Sequence, residues 1–147
     1  MNMAEKGEVS VNPLSDFEHL FLNRTGLLEL NDASNKPLMF KGKRVKVELY
    51  GPNTQEQIKA LAYQRQWAMT KATSQQAQGA DKGDLNYEES REVDIKYLVD
   101  VTKDFIDFPY PGGKQAIYSN PDLCYIEPQV RKYLANWGNF MRQQNNG

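Results

Sequence analysis

A short segment of alternating residues, followed at once by a helix start, constrains the fold more than any other part of the sequence. From Val45 to Tyr50 apolar residues alternate with polar ones and tyrosine, and this period of two predicts a strand with one buried face. Gly51-Pro52 ends the strand, because proline cannot extend the hydrogen-bond ladder. Thr54, with Gln57 three residues later, is typical of a capped helix start. The rest of the chain is therefore expected to pack around this strand-to-helix corner.

Two segments before the corner also have strand character. Residues 24–30 contain three leucines after a glycine, which predicts an edge strand. Residues 37–40 and 44–50 flank Lys41-Gly42-Lys43, where the glycine can adopt a positive φ at low cost. The sequence thus predicts a small antiparallel hairpin near the front of the fold.

The segment from Thr54 to about Gln76 predicts a long helix that is apolar on more than one face. Its main stripe has helical spacing, is interrupted by Arg65, and consists of Ile58, Leu61, Ala62, Met69 and Ala72. A second stripe beside it consists of Ala60, Tyr63 and Trp67. Two interpretations follow. Either the other helices cover this surface as core, or Tyr63 and Trp67 face a partner chain, since aromatic residues are enriched at interfaces.

The second half of the chain predicts two more long helices. Residues 74–85 are polar and predict a flexible connection, after which a second helix runs from Tyr87 to about Ile106. A last helix restarts at Pro128, and its apolar stripe consists of Val130, Tyr133, Leu134, Trp137 and Met141. The predicted fold class is α+β, predominantly helical, with a small antiparallel β-hairpin followed by three main helices. The predicted organisation is a flexible N-terminus over residues 1–12, a single domain over 13–141 and a disordered tail over 142–147.

Composition argues against several classes of function. The chain of 147 residues has a net charge of -1, which argues against nucleic acid as a partner, because phosphate binding needs an excess of basic residues. No apolar run approaches 18 residues, so we expect no membrane span. A single cysteine rules out an internal disulfide.

The residues needed for common catalytic sites are missing. His19 is the only histidine and Cys124 the only cysteine, so neither a zinc ligand set nor a convincing Cys-His pair can be built. The acidic residues between 94 and 107 have the spacing of a solvated helix face and lack the apolar surroundings that tune an acid-base pair. We therefore expect no catalytic residue, no metal and no cofactor, and a protein that is not an enzyme.

Two motifs in the chain resemble a known family. Leu49-Tyr50-Gly51-Pro52 leads into an alanine-bearing polar helix, and the end of the chain has residues 118–130 followed by Trp137-Gly138-Asn139-Phe140. In this order and with similar separation, these motifs resemble the tail assembly chaperones of long-tailed bacteriophages. The resemblance covers residues 43–141.

The resemblance implies a non-catalytic role in the cytoplasm of the host cell. Such chaperones bind the tail tape measure protein, keep it soluble until the tail tube forms around it, and are absent from the mature virion. In this family a longer product made by translational frameshifting can also recruit the major tail tube protein, and this chain would be the short form. The two-sided first helix also permits a homo-oligomer.

Five residues are the predicted partner-binding surface. An unassembled tape measure protein exposes apolar helical stripes, which amphipathic helices can cover reversibly. The candidates are Tyr63, Trp67, Met69, Tyr133 and Trp137, with Trp67 preferred because it lies off the main stripe. The alternative for each residue is an ordinary core position. Two other classes of function remain open: a structural virion component, such as a tail terminator or head-tail joining protein, and a small-molecule enzyme or regulator.

Overall fold

A computed structural model describes residues 13–78 and 83–142, with side chains described over 13–73 and 87–142. Its strands are β1 (Thr25–Glu29), β2 (Met39–Phe40), β3 (Lys43–Arg44), β4 (Lys46–Tyr50) and β5 (Thr102–Ile106). Its α-helices are α1 (Gln55–Gln78), α2 (Gly83–Val101), α3 (Gly113–Ser119) and α4 (Ile126–Ala135). Short 3-10 turns lie at Glu18–Leu20, Pro121–Leu123 and Trp137–Phe140. This composition confirms the predicted α+β class, with the short α3 added to the three main helices. The prediction for the last helix is wrong at both ends: α4 begins at Ile126, before Pro128, and ends at Ala135, so Trp137 and Met141 lie beyond it.

The strand predicted from the alternating segment is the centre of the main sheet. β4 pairs antiparallel with β1 on one side and with β5 on the other, which gives the strand order β1-β4-β5. Val45, Val47 and Leu49 are fully buried, whereas the residues between them are only partly covered. One face of the strand therefore packs on the core, as its period of two predicts.

The predicted hairpin is confirmed at β2 and β3, which pair as a separate two-stranded sheet. Lys41 and Gly42 both have positive φ, at 51° and 79°. Two left-handed residues between paired strands match the right-handed twist of a tight hairpin. This geometry explains why glycine is found at the second of the two positions.

The start of α1 is built as the sequence predicts, with one difference. The Thr54 Oγ1 accepts a hydrogen bond from the Gln57 backbone N–H at 3.2 Å and donates one to the Gly51 carbonyl at 2.8 Å. The Gln57 side chain donates to the Tyr50 carbonyl at 3.3 Å instead of reaching back to the Thr54 backbone. The cap therefore ties the helix to the end of β4 as well as satisfying its first turn.

The prediction that the second helix continues to Ile106 is wrong. α2 ends at Val101, and residues 102–106 form β5, in which Phe105 lies opposite Val47. The spacing of apolar residues suits a helix here, but the second edge of β4 needs a hydrogen-bonding partner. Satisfying that edge decides the conformation of this segment.

The predicted connection between the first two helices is too long. α1 extends to Gln78 and α2 already begins at Gly83, so most of residues 74–85 is helical. The remaining residues of that connection, 79–82, lie outside the described residues, as do the predicted flexible segment 1–12 and residues 143–147 of the predicted tail. Arg142, the first residue of that tail, donates its backbone N–H to the Phe21 carbonyl at 2.8 Å.

The core lies between the buried face of the sheet and the helices. It combines buried residues of β4 and β5 with one or more from each helix, and includes Leu49, Ala60, Leu98, Ile117, Val130 and Phe140. Phe108 and Tyr110, in the loop after β5, have ring centroids 5.9 Å apart and pack against this core. The turn between β5 and α3 is therefore held against the core by its aromatic residues.

Candidate functional site

The two motifs that carry the family resemblance lie against each other. A Cβ added at Gly51 would lie 2.9 Å from the Phe140 Cδ1, so only glycine lets the end of β4 approach this ring. Phe140 is fully buried. Three residues before it, Trp137 lines a surface groove together with Pro52. One corner of the molecule is thus formed by both motifs, although about 85 residues separate them in the sequence.

The second stripe of α1 faces α2. Ala60 is 1% exposed, Trp67 is half-buried, and the Lys96 Nζ of α2 lies 4.9 Å from the centre of the Tyr63 ring. Further along, the Lys71 Nζ lies 2.6 Å from the Glu89 Oε1. Ala60 and Trp67 therefore lie at the helix-helix interface, whereas Tyr63 lies at its edge and stays 41% exposed.

The main stripe of α1, in contrast, faces solvent. Ile58 is 49% exposed, Leu61 38% and Met69 69%, and Ala62, Arg65 and Ala72 are also exposed. We call these six residues the α1 strip. The interpretation that other helices cover this stripe as core is therefore wrong, because α2 packs against the neighbouring face of α1.

Two shallow grooves run beside the α1 strip. The first has a volume of about 260 Å³ and is lined by Leu61, the α2 residue Tyr97, the α4 residue Leu134 and the exposed Trp137, among others. The second has a volume of about 310 Å³ and lies between α1 and α2, where it is lined by Leu61, Arg65 and Val93. Leu61 lines both grooves, so they and the strip form one continuous surface.

The structure brings three of the five predicted partner-binding residues to the α1 strip or to the grooves beside it. Met69 lies in the α1 strip, Trp137 lines the first groove, and Trp67 lines the second. Trp67 and Tyr63 also line a small depression on the opposite flank of α1. Trp67, the preferred candidate, is therefore a half-buried residue of the α1-α2 interface.

Tyr133 lies apart from the other four. Its ring stacks on Phe140 at 5.3 Å, and it lines a separate groove with Leu27 of β1. Burial raises the pKa of its phenol, and a hydrogen bond with the Leu27 backbone partly offsets this effect. The structure places Tyr133 as a link between α4 and the sheet.

Sequence reasoning did not assign Ile58 and Leu61 to the partner-binding surface. Their helical spacing is equally typical of a core face. The signal that distinguishes this stripe is Arg65, because a guanidinium in the middle of a stripe cannot be sealed inside without a partner.

A network of charges joins α2 to α4 at the end of the first groove. The Glu127 carboxylate accepts hydrogen bonds from Arg91 at 2.9 Å and from Arg131 at 2.8 Å, and Arg131 also lies 3.8 Å from Asp94. Burial raises the pKa of Glu127, but the hydrogen bonds and charges of both arginines outweigh it and hold the pKa below its ordinary value. The wall of the groove is therefore fixed by an ionised carboxylate.

Two further features are absent from the described residues. Within residues 13–78 and 83–142, no group of three or more His, Cys, Asp or Glu side chains is arranged to hold a metal ion. No helix in the same ranges combines the length and apolar character needed to cross a bilayer.

Comparisons with known proteins found no relative. No family model matches the chain, and neither the curated proteins nor the solved structures include a match. Any functional conclusion therefore depends on the sequence motifs and on the surface described above.

Proposed function

We propose that this protein is a non-catalytic tail assembly chaperone of a bacteriophage, which binds the tape measure protein and keeps it soluble while the tail tube forms. The observation that carries the proposal is the α1 strip, an apolar helical surface left exposed beside two grooves. Contiguous exposed apolar surface is typical of interaction sites, and this supports the proposal. The proposal includes action in the cytoplasm of the host cell and absence from the mature virion.

The geometry of the strip suits a helical client. Leu61, Arg65 and Met69 are spaced four residues apart and therefore project along one side of α1. An amphipathic helix laid in the adjoining grooves would bury its apolar face against such a row. Each contact on an open surface is weak, but many chaperone copies along a long client give avidity that tube subunits can compete away.

Co-expression with the tape measure protein, the large helical product of a neighbouring gene, tests the proposal. We expect the wild-type chain to increase the soluble fraction of the tape measure protein and to co-purify with it. Met69→Glu keeps a good helix former but places a charge on the α1 strip. We expect it to weaken binding of the tape measure protein about tenfold, because apolar contact with Met69 is lost.

Met39→Glu is the matched control, since Met39 is also exposed, at 52%, but lies in the β2-β3 hairpin. It should bind as the wild type does. A tape measure protein that stays insoluble with wild-type chaperone would contradict the proposal, and so would finding the chain in purified virions by mass spectrometry. The second result would favour a structural virion component instead.

A further inference from the structure

The α1 strip contains one charged side chain, and its position is central. Arg65 lies four residues after Leu61 and four before Met69, with Ile58 and Ala62 on the preceding turns. It is exposed, and it has no ion-pair or ring partner among the described residues. A guanidinium surrounded by exposed apolar side chains is thus available to a partner that covers the strip.

The charges on the rest of α1 have the same sign around this surface. After Glu56 in the first turn, the described charged residues of the helix are Lys59, Arg65 and Lys71, and Lys71 is already paired with Glu89. The described part of α1 therefore presents an excess of positive charge, although the whole chain has a net charge of -1. Asp94 of α2 lines the same groove as Arg65, but its carboxylate already faces Arg131 at 3.8 Å. A client helix that is only apolar would therefore cover Arg65 without supplying a carboxylate of its own, at a substantial cost.

Resting on the proposed function, we infer that Arg65 recognises a carboxylate on the client, so that the preferred partner is an amphipathic helix with Asp or Glu within or beside its apolar stripe. Leu61 and Met69 cover the client's apolar residues on either side. The arginine fork binds the carboxylate in two parallel hydrogen bonds, which become stronger as the apolar contacts exclude water. The pair sets which helices bind and in which register, whereas the apolar contacts supply most of the affinity.

Charge reversal at Arg65 tests this inference on the tape measure protein. We expect Arg65→Glu to weaken binding of the tape measure protein roughly tenfold and Arg65→Gln roughly fivefold. Both side chains are compatible with an exposed helix position, and circular dichroism should show an unchanged fold. Raising the salt concentration should weaken wild-type binding more than binding by Arg65→Gln, because only the wild type has the ion pair to screen.

Lys59→Glu is the matched control for net charge. Lys59 is exposed on the same helix, but six residues earlier, which places it about 120° around the helix from Arg65. The Lys59→Glu variant changes the net charge by as much as Arg65→Glu does, but outside the α1 strip, and should alter binding less than about twofold. If Lys59→Glu and Arg65→Glu lose binding equally, the effect is one of net charge and the inference is wrong.

Designed peptides provide a second readout. Two helical peptides of about 20 residues share one leucine stripe and differ only in a central Glu or Lys. Fluorescence anisotropy should show that wild type prefers the Glu peptide and that Arg65→Glu prefers the Lys peptide. Pairing Arg65→Glu with the Lys peptide should restore most of the affinity that Arg65→Glu loses for the Glu peptide. Absence of a preference in wild type would overturn the inference.

The outcomes separate this inference from the proposed function. If wild type and all Arg65 variants solubilise the tape measure protein equally, the function stands and the role of Arg65 is wrong. If wild type fails to solubilise it, both are wrong. If Arg65→Glu instead converts a dimer of the isolated protein to a monomer by light scattering, the strip is an interface between copies and the inference is again wrong.

Discussion

At the level of single residues, Thr102 forms hydrogen bonds at the junction where α2 ends and β5 begins. Its hydroxyl lies 2.7 Å from the Leu98 carbonyl and 2.7 Å from the Tyr118 hydroxyl, and the residue is fully buried. Because the threonine hydrogen is used on the carbonyl, the tyrosine donates to the threonine oxygen. Burial raises the pKa of Tyr118 far above its ordinary value, so the phenol stays protonated and can donate.

This asymmetry predicts different costs for the two partners. Tyr118→Phe removes a donor and leaves only an acceptor lone pair unused, so we expect a loss of about 1 kcal/mol in the free energy of unfolding. Thr102→Val leaves the buried Tyr118 hydroxyl without an acceptor, so we expect a loss of about 2–3 kcal/mol. Urea denaturation of both variants measures the difference. Equal costs would mean that the hydrogen bond is not the main contribution of either side chain.

At the level of elements, α2 and α4 are joined by the Glu127 network. The folded-state pKa of Glu127 is lowered, so the carboxylate contributes stability that is present above its ordinary value of 4.5 and is lost as the pH falls through the lowered value. Glu127→Gln should therefore reduce the free energy of unfolding by about 1 kcal/mol at pH 7. The difference from wild type should shrink as the pH falls below about 4.

Glu92→Gln is a suitable control for this measurement. Glu92 follows Arg91 in α2 and is exposed, and it has no ion pair among the described residues. It should change stability by less than about 0.5 kcal/mol at either pH. Chemical denaturation of the three proteins at pH 7 and pH 3 would contradict the assignment if Glu127→Gln and Glu92→Gln behaved alike.

The elements differ in how well their sequences predict them. β4 was predictable because alternation over residues 45–50 has only one regular structure that buries a single face. β5 was not, because Thr102, Phe105 and Ile106 also have helical spacing. Only the unpaired edge of β4, which lies more than 50 residues earlier in the chain, favours the strand.

For the whole molecule, the two aromatic residues of the Trp137-Gly138-Asn139-Phe140 motif are expected to have different roles, one in binding and one in folding. Trp137 is 63% exposed, whereas Phe140, in the same 3-10 turn, is fully buried against Gly51. Phe140→Ala should cost about 3–5 kcal/mol of stability, because it leaves a cavity in the core. Trp137→Ala should cost less than about 1 kcal/mol and should mainly weaken binding of the tape measure protein.

Thermal unfolding and co-purification of these two variants check the prediction. A large loss of stability in Trp137→Ala would show that the tryptophan is a folding residue and would remove it from the proposed client surface. Normal binding by a stable Trp137→Ala would have the same consequence for the surface. Neither result would affect the α1 strip, which lies on another element.

The sequence by itself determined the α+β class, the strand-to-helix corner, the hairpin and the presence of two apolar stripes on the first long helix. These features depend on contacts between residues close in the chain, where the periods of strand and helix and the chemistry of turns act directly. Only the tertiary structure decided which stripe of α1 is buried, that residues 102–106 form a strand, and that Tyr133 lies apart from Trp137. Both stripes have the spacing of a core face, and the packing of α2 against one of them leaves the other exposed, so the candidate site is a consequence of where a distant helix lies.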